Sequence, residues 1–201
     1  MTEAPTIPGH RPVMFGPGRL VLVVGPSGAG KDTLIGLARA ALADDGNVLF
    51  PRRLVTREAS PSEDNEYASP EAFQSALSRG DLAVHWEAHG HCYGLPCSII
   101  DDIHADRTVI VNVSRTVVEA MRRAFVDVVV VAVTAPPEVL AERLAARTRR
   151  GDGRIADRLG RVVDGVAASP DFTIINVGRP EDHVRELLQV IRGEGNVLIK
   201  R

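Results

Sequence analysis

The 201-residue chain has few cysteines, no long apolar run and no excess of positive charge, and each shortage excludes a class of protein. Two cysteines, Cys92 and Cys97, are too few for a disulfide framework or for a four-ligand zinc site. No window approaches the roughly 20 consecutive apolar residues of a membrane-spanning helix. Residues 1–18 also lack the apolar core of a signal peptide. The composition therefore predicts a protein of the cytoplasm that acts without a membrane partner.

A net charge of −2 gives the chain no basic field for binding nucleic acid, so no nucleic-acid partner is predicted. Only two of the 24 basic residues are lysines, Lys31 and Lys200. Arginine suits bidentate phosphate contacts, but a GC-rich genome produces the same bias, so both explanations stay open. Prolines and glycines crowd residues 1–18, which predicts a flexible tail before a single domain over residues 19–201.

The clearest signal follows the apolar run Leu20–Val24. It reads Gly-x-x-x-x-Gly-Lys-Asp, which matches a phosphate-binding loop at every position except the last, where Asp32 replaces Ser or Thr. Glycines allow a tight turn that presents backbone N–H groups to phosphate oxygens, and the following helix adds the positive end of its dipole. Lys31 is expected to bridge the β- and γ-phosphates. The predicted triphosphate-binding residues are Gly25, Pro26, Ser27, Gly28, Ala29, Gly30, Lys31, Asp32 and Thr33.

Asp32 needs a cation nearby, because a carboxylate beside a triphosphate is otherwise repelled. Either Asp32 ligates Mg²⁺, directly or through water, or it turns aside and Thr33 supplies the hydroxyl. Hard divalent cations favour carboxylate oxygen, so the first arrangement is chemically sound. Both alternatives predict a strict requirement for a divalent metal.

Strand and helix patterns alternate along the chain. Ser69-Pro70 begins a helix that ends near Gly80, because Ser caps and Pro fits the first turn. Residues 52–65 are charged and polar, which predicts a loop, and a polar turn over 87–94 follows a strand over 82–86. The alternation predicts an α/β fold with a parallel sheet covered on both faces. Further strand-like apolar runs are Val48–Phe50, Thr108–Val113, Val126–Val133 and Phe172–Val177.

An arginine-rich segment over residues 143–161 surrounds the flexible Gly151-Asp152-Gly153. A solvated pair of charged helices is the simplest explanation of such a segment. In a chain that also has a phosphate loop, a mobile lid over about 147–161 is favoured, because closure excludes water from the transferring phosphoryl group. Arg147 and Arg158 are expected to clamp that group, and with Lys31 they form the predicted catalytic set.

These motifs together resemble the guanylate kinase-like branch of the nucleoside monophosphate kinases, from about Leu20 to Ile191. The loop Gly25–Lys31 is almost the guanylate kinase sequence, Thr56-Arg57 resembles the substrate-phosphate motif, and Arg143-Leu144 with Arg147 resembles the helix that enters the lid. The resemblance implies a P-loop kinase fold with an acceptor-binding segment over about 52–95 and ATP as co-substrate.

The departures from guanylate kinases favour a different acceptor. Asp32 replaces Ser or Thr, and residues 65–67 and 84–86 do not align with the Tyr and Glu that address guanine. The strand that usually ends in an acidic residue reads Val111-Asn112-Val113-Ser114-Arg115. The Gly-Lys-Asp loop, the Val-Thr-Arg segment at 55–57 and this strand are similar to ribose 1,5-bisphosphate phosphokinases. That similarity implies ATP-dependent conversion of ribose 1,5-bisphosphate to 5-phosphoribosyl 1-diphosphate in phosphonate catabolism.

Such an acceptor has two phosphates and no base, so arginines are expected to bind it. Arg57, with Arg53 as second candidate, is predicted to bind an acceptor phosphate, and Tyr93 either contacts the acceptor or packs in the core. The nucleophile is an anionic phosphate oxygen that needs no general base, so catalysis depends on positioning and charge neutralisation. No catalytic role is therefore given to three turn or surface histidines, His85, His89 and His91.

Two other functions compete with this interpretation. One is a guanylate kinase with an unusual loop that acts on GMP. The other is a non-catalytic guanylate kinase-like interaction module, which the retained Lys31 and loop glycines disfavour. The sequence leaves the oligomeric state open between a monomer and a homodimer.

Overall fold

A computed structural model describes residues 14–57, 64–148 and 169–194. A 3₁₀ turn, Arg115–Val117, precedes the fourth helix. In chain order the elements are β1 (Phe15–Val24), α1 (Lys31–Ala41), β2 (Val48–Leu49), β3 (Arg53–Val55), β4 (Asn65–Tyr67), α2 (Pro70–Arg79), β5 (Leu82–Ala88), β6 (His91–Pro96), α3 (Ser98–His104), β7 (Thr108–Asn112), α4 (Val118–Ala124), β8 (Phe125–Thr134), α5 (Pro137–Thr148), β9 (Phe172–Ile175) and α6 (Pro180–Ile191).

Five parallel strands in the order β2-β7-β1-β8-β9 form the central sheet. β1 lies in the middle, where Leu22 pairs with Val111 of β7 and with Val130 of β8. Residues 20–23 of β1 are fully buried on both faces, which explains why they form an unbroken apolar run instead of an alternating pattern. The parallel α/β fold predicted from the sequence is confirmed.

Alternate residues of the sheet build two cores. On one face Val21 and Val23 pack with residues of α1, α5 and α6, including Leu34, Leu140 and Leu187. On the other face a second core collects residues of β1, β7, α3 and α4 together with those of the second sheet. The two-residue periodicity of the strands therefore fixes which layer each helix joins.

A second sheet, in the order β4-β3-β6-β5, packs against that other face. β5 and β6 form a hairpin whose two turn residues, His89 and Gly90, both have positive φ, as a tight two-residue turn requires. Tyr93 of β6 pairs with Trp86 of β5 on one side and with Val55 of β3 on the other. This sheet carries the segment predicted to bind the acceptor.

Three boundaries differ from those predicted by the sequence. β1 begins at Phe15, so the predicted end of the tail at residue 18 falls inside a strand, whose register shifts between Phe15 and Arg19. The proline and glycine content suggested a tail, but the Phe15 ring packs against Phe125. Residues 1–13 lie outside the described residues.

Two other differences concern the second sheet. Residues 53–55 of the predicted loop form β3, because Leu54 and Val55 pair with Gly94 and Tyr93. Residues 91–94 of the predicted polar turn are part of β6, so the turn itself is only His89-Gly90. The helix α3 was not predicted. The helix at Ser69-Pro70 is confirmed: Ser69 Oγ accepts from Ala72 N at 3.1 Å, and the helix is capped at Gly80.

No helix in the described part of the chain is both long and apolar enough to cross a lipid bilayer.

The connection from β9 to α6 is fastened by His183. Its Nε2 lies 2.7 Å from Val177 O and 3.3 Å from Val177 N, and its Nδ1 lies 3.1 Å from Glu186 Oε1. The two oxygens are acceptors, so the doubly protonated imidazolium can donate to both, whereas the N–H of Val177 suits a neutral ring with an unprotonated Nε2. The bond to Val177, followed by the carboxylate of Glu186, raises the pKa of His183 above its ordinary value of 6.5.

We predict that His183→Gln destabilises the protein more in acid than in alkali. A pKa raised on folding means that protonated His183 stabilises the fold fully below its unfolded pKa, and this contribution is lost as pH rises through the folded pKa. The difference in free energy of unfolding between wild type and His183→Gln, measured with urea, should be larger at pH 5.5 than at pH 8.5. An equal difference at both pH values would show that the charge of His183 plays no part.

Candidate active site

The predicted phosphate loop lies at the carboxyl end of β1, between the ends of β7 and β8. The chain connects from β1 to strands on one side of the sheet and later to strands on the other side, so the strand order reverses at β1. Open parallel sheets bind ligands at such a point. α1 begins at Lys31 with Gly30 as its N-cap, so the first-turn N–H groups and the helix dipole point into the loop. The fold therefore places the motif where a phosphate site requires it.

Gly30 can only be glycine in this loop. Its φ is +88°, and a Cβ built on it would lie 2.3 Å from Asn176 Nδ2. Asn176, the residue after β9, is buried and donates from Nδ2 to Ala29 O at 2.8 Å. The end of β9 therefore supports the underside of the loop.

Arg143 of α5 provides a second support. Its Nη1 donates to Gly28 O at 3.3 Å, and its Nη2 donates to Asn176 O at 3.1 Å. One guanidinium thus joins the loop to the residue that underlies it. Because both contacts involve backbone carbonyls, Arg143 fixes the course of the main chain instead of neutralising a charge.

Lys31 folds back over the loop. Its Nζ donates to Gly25 O at 2.8 Å and to Pro26 O at 3.0 Å. The ammonium group is therefore held at the mouth of the loop, within the turn that the glycines form. That is the position from which a lysine reaches the outer phosphates of a bound triphosphate.

Asp32 joins the loop to the neighbouring strand. Asn112 Nδ2, at the carboxyl end of β7, donates to Asp32 Oδ1 at 2.7 Å. Arg53 of β3 brings Nη2 to 3.8 Å from the same oxygen, which is an ion pair but too long for a hydrogen bond. A short bond to a neutral amide and a longer contact with a cation thus hold the carboxylate.

This donor set fits a divalent cation shared with phosphates. Both contacts engage Oδ1 of Asp32, and a quarter of the side chain is exposed. Within residues 14–57, 64–148 and 169–194 no group of three or more His, Cys, Asp or Glu residues forms a metal cage. Mg²⁺ commonly takes only one or two protein carboxylates and fills its shell with water and phosphate oxygens, so a single carboxylate at a phosphate loop suits it. Thr33 is exposed.

Arg53 also contacts two residues of the second sheet. Its Nε donates to Asn65 Oδ1 at 3.1 Å, and its guanidinium lies 5.8 Å from the centre of the Tyr93 ring. The other neighbour of Tyr93 is Trp86, whose ring is stacked on it at 5.5 Å with 6° between the planes. β6 lies between β3 and β5, so Arg53 and Trp86 approach Tyr93 from opposite sides. Tyr93 is therefore buried within a cation–aromatic stack, and its contact with the acceptor stays a prediction.

The structure describes only part of the surroundings of the remaining predicted site residues. Arg57 is half-buried and lies two residues after the end of β3. Arg147 lies in the last turn of α5, and Arg158, with most of the predicted lid, lies outside the described residues. His89 occupies the exposed hairpin turn.

Three residues of the site were not assigned roles from the sequence: Asn112, Arg143 and Asn176. The strand end at Asn112 is unusual, but a sequence cannot show that its amide meets Asp32, 80 residues away. Arg143 belongs to the segment that resembles the helix entering the lid, and Asn176 lies within the predicted strand Phe172–Val177. Neither signal indicates that these residues support the loop.

We predict that Gly30→Ala weakens nucleotide binding, because the added methyl collides with Asn176 and forces a strained φ. The dissociation constant of a fluorescent ADP analogue should rise at least about tenfold, equivalent to some 1.4 kcal/mol. Gly36→Ala is the matched control, since its Cβ points into open space on the same helix. It should leave binding unchanged and add up to about 1 kcal/mol of stability. Equal affinities for both variants would contradict this description of the loop.

Comparisons with known proteins agree with this geometry. A family model described as AAA domain matches residues 21–164. A ribose 1,5-bisphosphate phosphokinase PhnN from Bradyrhizobium diazoefficiens is 58% identical over 194 residues, which cover 96% of this chain and 98% of that protein. The protein of the same name from Rhodopseudomonas palustris is 59% identical over 179 residues, covering 89% and 91%.

A solved structure gives the fold. The guanylate kinase from Anaplasma phagocytophilum superposes with a TM-score of 0.64, covering 92% of this chain and 90% of that one, at 20% identity. That likeness establishes the guanylate kinase-like architecture alone, whereas the two relatives share more than half of their residues with this chain. The chain belongs to the ribose 1,5-bisphosphate phosphokinase family and has a guanylate kinase-like P-loop fold.

Proposed function

We propose that this protein transfers the γ-phosphoryl group of ATP to ribose 1,5-bisphosphate and forms 5-phosphoribosyl 1-diphosphate. The observation that carries the proposal is the similarity along nearly the whole chain to relatives named ribose 1,5-bisphosphate phosphokinase. In the reaction an oxygen of the 1-phosphate bonds to the γ-phosphorus, and the bond from that phosphorus to the β,γ-bridging oxygen breaks. ADP leaves with that oxygen.

The loop and α1 are assigned to the donor. Backbone N–H groups from Gly28 to Thr33 cradle the ATP phosphates, and Lys31 neutralises charge on the β- and γ-phosphates. Asp32 is the carboxylate directed at Mg²⁺, with Thr33 as the alternative ligand. Mg²⁺, when bound, supplies positive charge to the phosphates. The bonds from Arg143 and Asn176 to the loop carbonyls keep these groups in place during transfer.

The second sheet is assigned to the acceptor. Arg57, at the end of β3, binds an acceptor phosphate, and Arg53 adds positive charge nearby. The stack of Arg53, Tyr93 and Trp86 supports an acceptor without a base, because Tyr93 already has a partner on each side. A purine would have to displace one of them before it could stack on that ring.

The lid roles of Arg147 and Arg158 remain part of the proposal. Both would stabilise the charge on the transferring group, as arginines do in phosphoryl transfer. A homodimer and a cytoplasmic location also remain predictions. The nucleophile is an anionic phosphate oxygen, so the proposal requires no histidine as general base.

The discriminating experiment compares acceptors. Purified protein is incubated with ATP and Mg²⁺ together with either ribose 1,5-bisphosphate or GMP, and ADP release is followed by a coupled assay. We expect kcat/KM to be at least about a hundredfold higher with the sugar bisphosphate, a preference worth some 2.7 kcal/mol. ³¹P NMR of that product should show a new diphosphate.

Faster turnover of GMP would establish the guanylate kinase alternative. Absence of turnover with both acceptors, while ATP still binds, would favour the non-catalytic module. A preparation in which Lys31 is replaced by Ala is the control for contaminating kinases, and its activity with either acceptor should be lost.

A further inference from the structure

Asn112 has an unexplained contact in the site. It ends β7, the strand beside the phosphate loop, and its Nδ2 lies 2.7 Å from Asp32 Oδ1. Only the NH₂ side of an amide can donate to a carboxylate, so this contact also fixes which way the amide points. The backbone oxygen of Asn112 accepts from Arg53 Nη1 at 3.1 Å, so the residue is held from two directions.

A neutral amide such as that of Asn112 affects Asp32 differently from a charged partner. A cation in hydrogen-bond contact would neutralise Asp32, and a second carboxylate at 2.7 Å would repel it. A neutral amide orients the carboxylate and leaves its negative charge available. Arg53 stays at 3.8 Å from Oδ1, so the closest contact is the neutral one.

The geometry also selects one oxygen. The amide and the guanidinium both face Oδ1, and neither contact engages Oδ2. Rotation of the carboxylate would break the bond to Asn112, so the bond fixes the direction of Oδ2. Metal ligation requires such a fixed direction, because Mg²⁺ demands nearly ideal octahedral geometry.

We infer that Asn112 is a positioning residue that aims the carboxylate of Asp32 at the divalent cation of the bound nucleotide. The inference rests on the proposed function only in that a metal–nucleotide complex occupies the loop. Asn112 touches neither the metal nor the phosphates and acts through Asp32. Mutation of such a partner commonly lowers metal affinity by 10- to 100-fold, equivalent to about 1.4–2.7 kcal/mol.

The test measures metal binding directly. Mn²⁺ is titrated into the complex of the protein with ADP, and free Mn²⁺ is counted by electron paramagnetic resonance. Asn112→Leu removes the donor at similar size, and the dissociation constant of Mn²⁺ should rise about tenfold, which is the worth of one hydrogen bond to a charged group. In turnover assays the KM for Mg²⁺ should rise similarly, while kcat at saturating Mg²⁺ falls less than about threefold.

Two further variants distinguish orientation of the Asp32 carboxylate from simple structural support of the strand. Thr108→Val, at the other end of β7, is the control for strand perturbation and should bind Mn²⁺ like wild type. The exchanged pair Asp32→Asn with Asn112→Asp keeps one amide–carboxylate hydrogen bond but moves the charge to the strand. We expect the exchanged protein to keep the wild-type melting temperature and to bind Mn²⁺ as weakly as Asp32→Asn alone.

Unchanged Mn²⁺ affinity in Asn112→Leu would overturn the inference and leave Asn112 as a tie between β7 and the loop. An exchanged pair that binds Mn²⁺ like wild type would also overturn it, because a carboxylate at either position would then serve and the orientation of Asp32 would not matter. The measurement needs no acceptor, so failure to phosphorylate ribose 1,5-bisphosphate would refute the proposed function and leave this test intact.

Discussion

The site depends on how the protein holds a carboxylate beside a triphosphate. Asp32 stands where phosphate loops normally carry a hydroxyl, and its charge repels phosphate unless a cation lies between them. In the proposed arrangement, the 2.7 Å bond from Asn112 orients Asp32 without neutralising it. β7 is the parallel neighbour of β1, so the carboxyl ends of both strands meet at this point.

The same carboxylate links the donor and acceptor sides. Arg53 reaches from the second sheet to the oxygen of Asp32 that Asn112 binds, and its guanidinium also packs over Tyr93. Only about a tenth of the Arg53 side chain is exposed, so its charge is poorly screened by water. A shift of the second sheet would therefore move a poorly screened charge close to Asp32.

The sequence could predict what depends on local order. The apolar run of β1, the glycines of the loop and the capping Ser69 all act within a few residues, and the structure has a strand, a tight loop and a helix there. Contacts between distant segments could not be predicted in this way. The charged neighbours of Arg53 predict a loop, yet its pairing with Asn65 of β4, beside the pairing of β3 with β6, makes it part of a strand. The support of the loop by Asn176 likewise joins residues 147 positions apart.

The most direct test of the role of Asp32 is a crystal structure of the protein with ADP and Mn²⁺, with the metal located by its anomalous scattering. We predict an anomalous peak on the Asp32 side of the phosphates, within about 2.2 Å of Oδ2 or separated from it by one water. The bond from Asn112 to Oδ1 should be intact in the same map. A peak ligated by Thr33, with Asp32 turned away from the metal, would contradict the account.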